Sequence, residues 1–141
     1  DRTLGTGLLR RPGGERAAAY IARDDLGGSA ATVLANDDHA GRVYSETMSA
    51  TLTGAEIAAA LSTAAGRQIG YAPMPSAAWP AYFAEVLGLP AELLTSAGET
   101  MRALEAGEFD VVTEDYAAIT GRAPTTLAEF LAAHPAFAAP R

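Results

Sequence analysis

The chain contains no cysteine and no lysine. Without cysteine there is no disulfide, no thiolate nucleophile and no Cys-ligated zinc, and the redox compartment is left open. Without lysine there is no Tyr-x-x-x-Lys pair, and all ten basic residues are Arg. A Walker loop, an HExxH pair and a Ser/His/Asp set with a local signature are missing too. No basic stripe offsets the net charge of −7, which argues against nonspecific nucleic-acid binding. No apolar run approaches the roughly 18 residues of a membrane span. The N-terminus also lacks the charged and apolar regions of a signal peptide. The expectation is therefore no nucleic acid, no membrane and a cytoplasmic location. Aromatics are few, with one Trp, five Tyr and four Phe, so they mark where a core or a pocket must lie.

What is present is alanine-rich, apolar sequence of one-domain length. A chain of 141 residues can bury about two-thirds of the surface its unfolded form exposes. The small side chains favour close helix packing. The most legible stretch runs from Gly41 to Pro73 and reads as strand, loop, helix, turn, strand. Thr53 and Glu56 form a capping box, with Leu52 and Ile57 as its hydrophobic staple. Ile57, Ala60, Leu61 and Ala64 make an apolar stripe at helical spacing, and Gly66 closes the helix. On either side, Arg42 to Glu46 and Gln68 to Ala72 carry strand-forming residues.

The flanking segments follow the same grammar. Arg16 to Ala22 is a further strand, after which Asp24 or Asp25 caps a helix with Leu26, Ala30, Val33 and Leu34 inward; Gly27 and Gly28 weaken it. Ser76 caps a helix to Leu87 that carries Trp79, Phe83, Val86 and Leu87 on one face. This aromatic face is either core or a pocket wall. Pro90 opens the next helix, which ends at Gly107 and holds Leu93, Leu94, Ala97, Met101 and Leu104. Phe109 to Val112 is extended, Thr113 caps a helix to Thr120, and Thr126 with Glu129 makes a second capping box.

Few residues invite chemistry. Gly5-Thr6-Gly7 lacks the third glycine of a dinucleotide fingerprint, since position 10 is Arg10, and no strand precedes it. Asn36-Asp37-Asp38-His39 reads as a solvated helix end, because consecutive residues cannot all converge on one ion. His134 at a helix end gains from the dipole there and reads as a surface residue. Asp24/Asp25, Asp37/Asp38 and Glu114/Asp115 each have a capping or solvation role. No catalytic residue and no metal ligand is assigned.

Three segments together carry a resemblance: Arg16 to Leu34 with its ARDDL junction, His39 to Gly66, and TGRAPTTLAEF from Thr120 to Phe130, with Gly88-Leu89-Pro90 between. In order and spacing they resemble the C-terminal half of the NmrA-like atypical short-chain dehydrogenases, in particular their NAD(P)H:quinone oxidoreductases. The resemblance covers nearly the whole chain from Pro12 onward. SETMSA at Ser45 to Ala50 and the Gly27-Gly28 pair depart from the family pattern. An α/β fold is implied: the C-terminal part of a Rossmann-type NAD(P)-binding protein, with a few strands and about six helices. Residues 1–47 would end the nucleotide-binding sheet and supply its helix. Residues 48–141 would form a mostly helical substrate-side subdomain. The chain opens at Asp1 rather than Met and is expected to be a fragment whose partner is the missing N-terminal Rossmann half or chain; a domain that stands alone is the other reading. The cofactor implied is NADP, bound mainly by the absent half, and the substrate a small electrophile such as a quinone. An NAD(P)-binding redox sensor without turnover is the alternative. Tyr20 would hydrogen-bond a carbonyl oxygen, Arg23 would hold an anionic group, and Trp79 with Phe83 would stack on a flat ring.

Overall fold

A computed structural model describes residues 6–88, 90 and 94–135. Two short strands, β1 (Leu8–Arg11) and β2 (Gly70–Pro73), pair in parallel with Leu8 opposite Gly70 and Arg11 opposite Pro73. Among the described residues six α-helices accompany them: α1 (Arg23–Leu34), α2 (Gly54–Ala65), α3 (Trp79–Leu87), α4 (Thr95–Ala106), α5 (Asp115–Thr120) and α6 (Leu127–Ala133). A parallel pair needs a long crossover, and here α1, an extended loop and α2 supply it.

Helix α2 begins as its sequence demands. The Thr53 hydroxyl accepts from the Glu56 N–H at 3.2 Å, and the Glu56 carboxylate accepts from the Thr53 N–H at 2.7 Å. Gly66 closes it in the left-handed region at φ 63°. The buried face, however, is turned from the expected stripe: Gly54 and Ala58 are buried, and Ala64 is exposed. The reason is that α2 is gripped on two sides. Ala58, Leu61 and Ala65 pack with Leu9, Ile69 and Tyr71 of the sheet side, while α6 also packs against α2. Gly54 lies so close to Tyr71 that an added Cβ would sit 2.3 Å from the ring. After the helix, Ser62 organises the return to β2: its hydroxyl accepts from the Ile69 N–H at 2.9 Å and donates to the Ala58 carbonyl at 2.7 Å.

Of the expected strands, only the one before Pro73 forms, shifted to Gly70–Pro73. Arg16 to Ala22 makes a single antiparallel bridge, Ala18 with Leu52, and Arg42 to Glu46 joins no ladder. Neither does Phe109 to Val112, although the Phe109 carbonyl accepts from the Ala19 N–H at 2.8 Å. Strand-forming side chains allow an extended backbone, but a strand also needs a neighbour with free backbone groups. In 42–46 that bonding goes elsewhere. The Ser45 N–H donates to Asp115 at 2.7 Å, and the Thr113 hydroxyl donates to the Ser45 carbonyl.

Three expected caps are not used as such. Helix α1 starts at Arg23 after Ala22, with no side-chain cap; Asp24 and Asp25 stand in its first turn, where negative charge suits the dipole. Its buried residue is Ser29, not the expected apolar set, and Leu34 is 87 % exposed. The Ser29 hydroxyl donates to the Leu26 carbonyl at 3.0 Å, which lets a polar residue face the interior. Ser76 heads a short 3-10 turn before α3 and binds Glu105 of α4 through its N–H at 2.8 Å and hydroxyl at 2.6 Å. Thr113 bonds Thr47 and Ser45 rather than capping α5. Pro90 lies ahead of the described helix, which starts at Thr95; Leu93 falls outside the described residues. The second capping box, Thr126 with Glu129, forms at α6 as expected. Gly107 and Gly121 end α4 and α5 in the left-handed region.

Candidate functional site

A cavity of about 660 Å³ opens between the start of α1 and helix α6, within the range of small-molecule sites. Two bridges shape one wall. The Ala18–Leu52 pair and the Met48 N–H, donating to the Tyr20 carbonyl, hold residues 18–20 and 48–52 side by side. Tyr20, Arg23 and Asp24 then face the cavity from one segment, and Met48, Leu52 and Ile57 from the other.

The opposite wall is α6 with its cap: Thr125, Thr126, Leu127, Phe130 and His134. Asp25 ties this wall to α1. Its carboxylate accepts from the Thr125 N–H at 2.6 Å, the Thr125 hydroxyl at 3.0 Å and the Tyr116 hydroxyl at 3.1 Å. Phe130 and His134, one helical turn apart, stack with ring centroids 4.4 Å apart. His134 Nδ1 lies 2.9 Å from the Phe130 carbonyl oxygen. A carbonyl only accepts, so Nδ1 carries the proton in this bond.

Charge around Tyr20 comes from below the wall. The Arg11 guanidinium lies 5.7 Å from the centroid of the Tyr20 ring. Burial raises the proton affinity of the Tyr20 phenol, and the Arg11 charge opposes that by a smaller amount. The Tyr71 phenol is likewise raised by burial, and its hydroxyl donates to the Gly14 carbonyl at 2.9 Å.

Of the four binding residues expected, Tyr20 and Arg23 come together in this cavity. Trp79 and Phe83 lie on α3 and do not line it; they stack on each other, centroids 4.4 Å apart and 16° from parallel. The aromatic wall that does line it is Phe130 with His134, so His134 faces the cavity and is not the surface helix end expected from its position. A signal was available: the two residues stand four apart behind a capping box. Near the other histidine, His39 Nδ1 meets the Tyr44 hydroxyl at 2.7 Å beside a cleft of about 170 Å³. Among the described residues no group of three or more His, Asp or Glu is placed to hold a metal ion.

A dinucleotide needs backbone N–H groups converging at a glycine-rich strand–helix turn. The described residues do not fit that need. Gly7 precedes β1 instead of following it, and the residues after β1 run through a turn and an extended stretch to α1. No helix of the described residues is long and apolar enough to cross a membrane.

No protein-family model matches the chain. It is 34 % identical over 135 residues to an NAD(P)H azoreductase of Xenophilus azovorans, covering 92 % of this chain and 45 % of that protein. Its fold matches an NADPH-dependent quinone oxidoreductase from Escherichia coli with a TM-score of 0.84 and 25 % identity, over 94 % of this chain and 48 % of that one. Citrobacter sp. triphenylmethane reductase, solved with NADP(H), shares the fold with a TM-score of 0.81 at 22 % identity, over 94 % and 46 % of the two chains. The chain thus spans about half the length of the relatives it matches. By sequence and fold it is homologous to the C-terminal half of the NmrA-like NAD(P)H-dependent reductases.

Proposed function

We propose that this chain forms the acceptor-binding half of an NAD(P)H-dependent reductase acting on quinones or similar flat electrophiles. The observation that carries the reading is the cavity of about 660 Å³, apolar on most sides, with the stacked Phe130–His134 pair on one wall and Tyr20 and Arg23 on the other. A flat ring can lie against the stacked pair, and the Tyr20 phenol, a hydroxyl donor at neutral pH, can donate to a carbonyl oxygen. Arg23, exposed at the rim, suits an anionic substituent. Reduction by hydride transfer asks this half chiefly for orientation and for exclusion of water. NADP would be held mainly by a Rossmann half outside this chain, because the residues described here form no phosphate cradle. In that arrangement residues 1–47 complete the nucleotide-binding sheet and residues 48–141 make the substrate side.

Steady-state NAD(P)H oxidation with a panel of quinones and azo compounds, on the reductase that contains this chain, tests the reading. Turnover with a Michaelis constant that rises at least several-fold in Phe130→Ala supports it. Cofactor binding without turnover on any acceptor would overturn it in favour of a redox sensor.

A further inference from the structure

Arg11 ends β1. Its Nη2 is buried without a hydrogen-bond partner, and its Nε donates to the Pro12 carbonyl at 3.2 Å. Among the described residues no carboxylate pairs with it. Arg11 as a residue is half-buried, but a buried guanidinium nitrogen left without a partner is costly and needs an explanation. What Arg11 faces is an aromatic ring, that of Tyr20, which also faces the cavity. Resting on the reading above, we propose that Tyr20 hands its phenolic proton to the oxygen of the acceptor, and that Arg11 is the positioning residue that makes the resulting tyrosinate tolerable.

The step balances. A quinone that has taken up a hydride, with its electron pair, from a dihydronicotinamide is a hydroquinone monoanion. The Tyr20 O–H bond breaks as the new O–H bond forms on that anion. Tyr20 then recovers a proton from water at the open side of the cavity. A hydroquinone is itself a phenol, so donor and acceptor have similar proton affinities and the transfer is close to balanced in free energy. Desolvation disfavours the tyrosinate, and the Arg11 charge offsets part of that penalty once the proton has left. Among the described residues, Arg23, Asp24 and His134 line the same cavity as Tyr20, and Tyr71 interacts with it electrostatically. Tyr71 in turn feels both the Arg11 and the Glu15 charge.

The coupling can be measured without turnover. Incorporation of 3-fluorotyrosine lowers the pH at which the phenols titrate and gives each of them a 19F signal. The signal lost in Tyr20→Phe identifies Tyr20. Its titration midpoint is expected to rise by at least about half a pH unit in Arg11→Gln, which removes the charge, and to return in Arg11→Lys. An unchanged midpoint in Arg11→Gln overturns the proposal. So does an Arg11→Gln chain that fails to fold while Arg11→Lys folds, because the positive charge would then be a structural support. In the reductase that contains this chain, Tyr20→Phe should lower kcat at least tenfold with little change in KM; a kcat within twofold of the parent would also overturn the proposal. If the parent oxidises no NAD(P)H with any acceptor, the functional reading fails, and the 19F titration still decides whether Arg11 governs Tyr20.

Discussion

Single residues decide most at the helix starts and on the aromatic faces. At α2 the Thr53 hydroxyl and N–H both donate to the Glu56 carboxylate and hold it below the usual carboxylate range; Thr126 does the same for Glu129. Thr53→Ala should cost about 1 kcal/mol, read from chemical denaturation. The pH dependence has a definite sign. A carboxyl whose affinity for protons is lowered by folding contributes stability that is fully present above its unfolded value, about 4.3 for Glu. That contribution is lost as the pH falls through the lower, folded value. Glu56→Gln with Glu129→Gln keeps an acceptor at each cap and removes the charge. The fall in Tm between pH 5 and 2.5 should therefore be smaller in the double variant than in the parent. Trp79 belongs to the same scale. Half-buried and stacked on Phe83, away from the cavity, it should cost less on truncation to Ala than the roughly 3–5 kcal/mol of a fully buried Trp. Acceptor KM should not move in that variant; a several-fold rise would return Trp79 to the binding wall.

Elements are positioned by a few polar ties and close approaches. Asp25 joins α1 to α5 through Tyr116 and to the cap of α6 through Thr125. Tyr116 is only 2 % exposed, so Asp25→Ala strands a buried hydroxyl and should cost about 2–3 kcal/mol. It should also loosen the Thr125–Leu127 edge of the cavity, seen as faster amide exchange there than in the rest of the chain. Gly54 reports on the contact between α2 and β2. By propensity Gly54→Ala should stabilise the helix by up to about 1 kcal/mol. The Tyr71 ring stands where the new methyl must go, so a net loss of about 1–3 kcal/mol is expected instead. A gain in stability on thermal denaturation would show that Tyr71 can move aside.

For the molecule as a whole, the parallel pair of strands and the helices around it reproduce about half of a reductase fold. Among the described residues no glycine-rich strand–helix turn makes a pyrophosphate site. The chain by itself should therefore show no micromolar NADPH binding in calorimetry. Binding at that level would place a dinucleotide site in this half and remove the need for a separate nucleotide-binding partner.

The sequence by itself determined the local events: both capping boxes, the left-handed glycines ending α2, α4 and α5, and the strand before Pro73. These depend on residues within a few positions of one another, so short-range spacing is enough to read them. The homology was legible too, because order and spacing of whole segments persist along the chain. Only the tertiary structure decided where Arg16 to Ala22 and Arg42 to Glu46 send their hydrogen bonds, since a ladder needs a partner edge that no local pattern names. It also decided which face of α2 is buried, because two neighbours compete for an alanine-rich helix with little side-chain bias. The cavity follows the same rule. Tyr20 and His134 lie more than a hundred positions apart, and they face one space because Asp25 reaches Thr125 and the Ala18–Leu52 bridge holds the opposite wall.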